Sequence, residues 1–169
     1  RRSIASADIL GLHPEDGPQE QELKNSGVRL HALLGAIGCP ECSANIHLDM
    51  LRAALYGKLI GACSGVHLFT GHDVVKPFAA KYAARCGVPV RWTRLPRQDW
   101  YFKEKTGWRY WNDIVVPGMR SLGKHPGWLF LIGGGIPGKA TMHVLKDSGA
   151  AVLDIGSVFD FWAGYLTRG

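Results

Sequence analysis

The chain has 169 residues, 46% of them hydrophobic, enough for one domain with a sizeable core. Lys and Arg number 20 against 14 Asp and Glu, a formal charge of +6, and nine of those cations fall between Lys76 and Arg109 beside only Asp99 and Glu104. Such a basic face attracts anions, yet no basic run is long enough for a nucleic-acid arm and no nucleic-acid-binding motif occurs. No apolar run reaches membrane-spanning length and no signal-peptide pattern opens the chain, so the expectation is a cytoplasmic domain with no membrane span and no nucleic-acid partner.

In chain order, Ile4 to Leu12 mixes small and apolar residues and ends in a short strand. His13 to Asn25, with Pro14, Gly17 and Pro18, reads as a loop leading into a short acidic helix. Val28 to Ile37 has helical apolar spacing that Gly38 and Pro40 break. Cys39-Pro40-Glu41-Cys42 has the spacing of half a zinc site or a redox pair. No second CxxC follows, and Leu33 to Gly38 is a poor strand for a thioredoxin-like motif. The expectation for Cys39, Cys42, Cys63 and Cys86 is therefore reduced cysteines in a core or surface turn. Ser43 can cap a helix with an apolar face of Ile46, Met50, Leu51, Ala54 and Leu55, loosened at its end by Gly57 and Gly61.

Val66 to Thr70 is the first clear strand, and it stops at Gly71-His72-Asp73. A helix from Val74 to Cys86 follows, with Phe78, Ala79, Tyr82 and Ala83 inward, and Gly87 closes it before a strand from Val88 to Leu95. That is a βαβ unit. Asp73 stands where it could either cap the helix or meet a ligand. The next stretch, Pro96 to Gly127, interleaves Trp100, Tyr101, Phe102, Trp108, Tyr110 and Trp111 with basic residues, and Asn112 to Leu122 reads as helix interrupted by Pro117 and Gly118. Aromatics beside cations can stack on sugars or bases, but packed core and rim is the more economical reading.

A second βαβ unit closes the chain. Trp128 to Ile132 is a continuous apolar run, Gly133-Gly134-Gly135-Ile136-Pro137-Gly138-Lys139 a glycine turn, Ala140 to Ser148 a helical stretch, and Ala150 to Leu153 a strand that ends at Asp154-Ile155-Gly156-Ser157. Glycines let backbone N–H groups approach a ligand closely, and a helix N-terminus with Lys139 beside it suits a nucleotide diphosphate. Gly133-x-Gly135-x-x-Gly138 matches a dinucleotide fingerprint by letters, whereas a P-loop needs Ser or Thr where Ala140 stands. A tight turn without a ligand stays open as the alternative. In parallel units both turns, Thr70 to Asp73 and Gly133 to Lys139, lie on one sheet edge, where α/β ligands bind.

Phe130 to Lys139, followed by Gly149-Ala150-Ala151-Val152-Leu153-Asp154-Ile155-Gly156-Ser157-Val158-Phe159-Asp160-Phe161-Trp162, resembles the C-terminal part of bacterial glycosyltransferases of the GT-D fold, with their G-x-G-x-x-G-K turn and G-x-x-x-x-D-I-G-S-x-x-D-x-W pattern. Ala7 to Gly11, Ala44 to His47 and Leu68 to Val74 are similar to that family's middle, less specifically. The resemblance implies a single α/β domain over residues 1–169, Rossmann-like, with a mostly parallel sheet and flanking helices. It also implies a UDP-sugar donor, a divalent metal (Mn²⁺ or Mg²⁺), and transfer of the sugar to a glycan or other hydroxyl acceptor in surface-glycan synthesis. Gly133, Gly134, Gly135, Gly138 and Lys139 are then expected at the diphosphate, with Thr70, Gly156 and Ser157 lining the pocket. Asp73, Asp154 and Asp160 are the candidate bases for the acceptor; His47 and His72 are secondary ones, with a structural role the expectation for both. The family's N-terminal Asp-Gly-Glu metal motif is absent, and no D-x-D or D-x-E occurs, so the metal ligands are unknown. A chain truncated past that motif is the simplest expectation. The alternatives are a non-catalytic nucleotide(-sugar)-binding domain, an NAD(P)-dependent oxidoreductase, and a structural or partner-binding domain.

Overall fold

The computed structural model describes residues 10–12, 41–43, 46–96 and 107–165. Two short strands, β1 (Leu10–Leu12) and β2 (Glu41–Ser43), pair in parallel as a sheet of their own. Helices α1 (Ile46–Arg52) and α2 (Tyr56–Gly61) follow. The main sheet is built from β3 (Gly65–Thr70), β4 (Val90–Arg94), β5 (Trp128–Gly133) and β6 (Ala151–Asp154). Between β3 and β4 runs α3, which consists of Val75–Phe78, a π-helical turn Ala79–Ala83 and a last turn Ala84–Cys86. Between β4 and β5 runs α4, made of Gly107–Tyr110, a π-helical turn Trp111–Val115 and Val116–Arg120. Helix α5 (Gly135–Lys146) joins β5 to β6, and α6 (Ser157–Trp162) follows β6.

All four strands of the main sheet are parallel, in the order β4-β3-β5-β6. This is an α/β Rossmann-like fold. Its two central strands are the apolar runs of the sequence, because a strand with helices over both faces has no polar side. Val66 and Leu68 of β3, with Leu129 and Leu131 of β5, pack on Tyr56, Ile60, Phe78, Val158 and Phe159 from α2, α3 and α6. Phe69, Phe130 and Ile132 point the other way, onto Trp111, Val115, Met119, Val144 and Leu145 from α4 and α5. The connection from β3 steps outward to β4 over one face, while that from β5 steps outward to β6 over the other. Right-handed crossovers in opposite directions require this division of the helices.

Local differences from the sequence reading have local causes. Helix α5 begins at Gly135 rather than Ala140, because Pro137 has its ring-fixed φ and missing N–H in the first turn, where neither costs a helical bond. Pro117 and Gly118 do not interrupt α4; the proline enters at the start of an α-helical segment, directly after the wider π turn. Ser43 ends β2, and Ala54, at φ 53°, separates α1 from α2 so that Gly57 lies inside the second helix. The strand expected from Val88 is formed only over Val90–Arg94. The helix expected over Val28 to Ile37, together with Cys39, Trp100, Tyr101 and Phe102, lies outside the described residues.

A polar side chain, His67, sits in the middle of β3. His67 is 3% exposed, its Nε2 lies 2.8 Å from Thr93 Oγ1, and its ring stacks on Phe69 and meets Phe130 edge-on. Burial, then the charges of Arg91 and His125, lower its pKa from 6.5 to about 4. Between pH 6.5 and 4 the unfolded chain therefore binds a proton that the folded chain does not, and stability falls as pH falls through that window. The loss is on the order of 3 kcal/mol by linkage. Urea melts at pH 7.5 and pH 4.5 will show a smaller stability difference in His67→Leu than in the wild type.

Candidate functional site

At the carboxyl edge of the sheet, register sets Thr70 beside Gly133 and Ile132 beside Asp154, so the ends of β3, β5 and β6 lie abreast. The chain leaves β3 toward one edge and β5 toward the other, which makes the gap between their ends a topological switch point, where open α/β sheets bind ligands. Two expected turns meet there. After β3, Thr70 is fully buried and its Oγ1 accepts the His72 backbone N–H at 3.2 Å, folding Gly71 and His72 back over the strand end. Thr70 is thus a turn-forming residue whose carbonyl also takes bonds from Leu95 N–H and Trp92 Nε1.

After β5, the glycines are demanded by packing. A Cβ on Gly133 would run into the Phe159 ring of α6, and one on Gly134 would lie 3.0 Å from Leu95 Cδ1 and 3.1 Å from Trp111 Cη2. Gly138 is buried with Ile132 against it, holding α5 close to β5. Gly135, at φ 58°, makes the bend that starts the helix. The first bond into α5 is Gly138 N–H to Gly134 carbonyl, so the N–H groups of Gly135 and Ile136 precede it and Pro137 has none to offer. The anion-binding character of this helix end therefore rests on two backbone donors and the helix dipole.

Charged groups at the edge are tied in pairs. Lys139 Nζ, on the first turns of α5, stands 3.3 Å from Asp154 Oδ2 at the end of β6, and Asp154 Oδ1 accepts Gly156 N–H at 3.2 Å. His72 Nε2 is 2.8 Å from Asp160 Oδ1 of α6, with the two side chains 21% and 26% exposed. The Tyr165 ring lies 5.5 Å from the His72 ring, and Tyr165 N–H bonds the Asp160 carbonyl. His47 Nε2 reaches Ser157 Oγ at 3.2 Å, while its carbonyl accepts the Tyr56 hydroxyl at 3.1 Å. Burial, then the nearby Tyr82 and Asp154 charges, push the Tyr56 phenol well above its ordinary pKa, so it stays a donor. Asp73 is exposed, and the cap position of α3 is Val74 with no side-chain cap bond.

No family model matches the chain, and neither a curated protein nor a solved structure does. The edge has to be read from its own chemistry.

Among the described residues, no group of three His, Cys, Asp or Glu side chains is placed to hold a metal ion. Asp154 spends its oxygens on Lys139 and Gly156, and Asp160 holds His72. The described residues therefore do not fit the divalent metal that the GT-D resemblance implies. Sequence reading named Asp154, Lys139, Asp160 and His72 singly, without their pairing. It also passed over Arg94, which ends β4 opposite Thr70 with its side chain exposed, and Tyr165. For Arg94 the signal was available, since it closes a strand of the same parallel unit. Trp111 is fully buried under the glycine turn, in keeping with packed core rather than a stacking platform.

Replacing Gly133 by Ala will lower stability by about 1–3 kcal/mol in urea unfolding, because Phe159 is in the core and has little room to move. Gly118→Ala is the control: a Cβ there meets nothing within 4 Å, and alanine in a helix gains about 0.5–1 kcal/mol over glycine.

Proposed function

We propose that this edge binds a nucleoside-diphosphate sugar, a UDP-sugar by the GT-D resemblance, and transfers the sugar to a hydroxyl acceptor. The observation that carries the reading is the coincidence of the switch point between β3 and β5 with the start of α5. The diphosphate would sit over the Gly135 and Ile136 N–H groups, with Lys139 and Arg94 as cations in reach of the same edge. Nucleoside and sugar would extend along the turns after β3 and β6, past Gly156 and Ser157. Charge developing on the leaving diphosphate would be met by the helix end and these cations. No step is assigned to a metal here; Asp154 and Asp160 already meet Lys139 and His72.

A second reading has a specific observation behind it. The pairing of Asp154 with Lys139 and of Asp160 with His72 also suits a domain that binds the nucleotide sugar without turnover, and that domain would answer the same binding test without releasing sugar.

Thermal melts with UDP, UDP-glucose, GDP, NAD and NADP, each with and without Mn²⁺, test the proposal. Ligand binding to the folded state alone raises the melting temperature by mass action. UDP and UDP-glucose are expected to raise it and NAD to leave it unchanged; a response to NAD alone would exclude the transferase reading. Lys139→Met and Arg94→Met should each weaken UDP binding roughly tenfold or more in calorimetry, the worth of a charge-assisted contact. Lys139→Met should cost less than about 1 kcal/mol of stability, because its pair with Asp154 is solvent-exposed on the lysine side.

A further inference from the structure

The geometry points to His72, held by Asp160, as the group that takes the proton from the acceptor hydroxyl. This rests on the reading of the edge as a sugar-transfer site, and it replaces a carboxylate base by an imidazole. The three carboxylates are not equivalent there. Asp154 accepts from Lys139 at Oδ2 and from Gly156 N–H at Oδ1, so both of its oxygens are already occupied. Asp73 is exposed on the loop before α3. Asp160 is half-buried and meets an imidazole at 2.8 Å.

A carboxylate only accepts hydrogen bonds, so the hydrogen between the two groups is on His72 Nε2. In neutral imidazole the other nitrogen, Nδ1, then carries the lone pair. The His72 backbone is fixed as well, by its N–H to Thr70 Oγ1 at the end of the central strand. The ring is therefore set from both ends, by α6 through Asp160 and by β3 through Thr70. An oriented imidazole with one nitrogen committed to a carboxylate is the arrangement general-base catalysis needs.

The step balances without a co-reactant. The acceptor oxygen gives an electron pair to the anomeric carbon while its proton passes to His72 Nδ1. The bond from the anomeric carbon to the diphosphate oxygen breaks, and its electron pair leaves with UDP. His72 afterwards releases the proton to water. Asp160 is a positioning residue: it fixes the tautomer and steadies the imidazolium that forms.

The test uses UDP-glucose as donor and water as acceptor, on the whole chain, with and without Mn²⁺. Donor affinity is read by calorimetry and UDP release by kinetics. His72→Gln is expected to bind UDP-glucose within about twofold of wild type while kcat falls about a hundredfold or more. Asp160→Asn should lower kcat about tenfold or more at unchanged KM, with part recovered in Asp160→Glu. Nitrogen-15 histidine spectra give a readout free of turnover: His72 as the Nε2–H tautomer in wild type, and loss of that preference in Asp160→Asn. Wild-type binding with a His72→Gln rate equal to wild type, a wild type that binds but never releases UDP, or a His72 protonated on Nδ1 and bare on Nε2 would each overturn the assignment while leaving the binding proposal intact. Failure of the wild type to bind UDP-glucose overturns the binding proposal itself.

Discussion

The pairing of β3 with β5 is the constraint on which the rest depends. Six residues of each strand lie in register, Gly65 opposite Trp128 through Thr70 opposite Gly133. Both strands are buried on both faces, and burial of each Leu, Ile, Val or Phe there is worth about 1.5–3 kcal/mol. A slip of one residue would exchange the two faces, moving Val66 and Leu68 into the layer shaped for Phe69, so the register is strongly specified. Because the register is fixed, so are the places where the two strands stop, and both stop at the same level. The gap between two diverging crossovers is thus a consequence of core packing, available to function without a separate structural cost.

The glycine turn illustrates how packing and binding readings of a motif can coincide. Gly133 exists for Phe159, Gly134 for Leu95 and Trp111, Gly138 for Ile132, and each neighbour comes from a different element. These contacts bring α4, α6 and the end of β4 onto one short stretch and hold the start of α5 rigidly over the sheet edge. A turn stabilised in this way offers its first N–H groups to a ligand without having to be ordered by it. The letters of the motif cannot separate these roles, because both demand a missing Cβ. Position decides between them: what makes this turn a candidate is the end of the sheet it occupies and the second turn beside it.

Much of the fold was legible in the sequence, and the legible part was local. Apolar runs gave β3 and β5, helical spacing with Gly87 gave α3, and the two βαβ units gave a parallel sheet with both turns on one edge. Errors arose where a residue's effect depends on its place in a turn. Pro137 and Pro117 look like breaks until the first turn and the π turn that receive them are known, and Ala54 carries a positive φ for which its type gives no warning. The residues gathered at this edge could be named one by one from the sequence, but not as partners. Lys139 with Asp154 and His72 with Asp160 join α5 to β6 and the β3 turn to α6, and no periodicity links such elements. Trp111 lies buried under the turn, as the core reading of the aromatic stretch had it, although an aromatic in a basic stretch gives the same letters whether it lies under a turn or out in solvent.

The partners, more than the inventory, determine what the edge can do. Two carboxylates at one sheet edge could suggest a cation site, because close like charges disfavour one another unless something positive sits between them. Here Asp154 and Asp160 already have partners within the protein: Lys139 lies against Asp154, and His72 against Asp160. Each pairing removes a carboxylate from the pool that could coordinate an ion and gives it a fixed orientation. The same pairings divide the edge chemically. On the β6 side a lysine, a helix start and a neutralised Asp154 make a place for an anion; on the α6 side an imidazole backed by a carboxylate makes a place for a proton. The proposed sugar transfer would need those two functions at adjacent points, one for the departing diphosphate and one for the incoming hydroxyl. The parallel sheet supplies the adjacency by ending β3, β5 and β6 side by side.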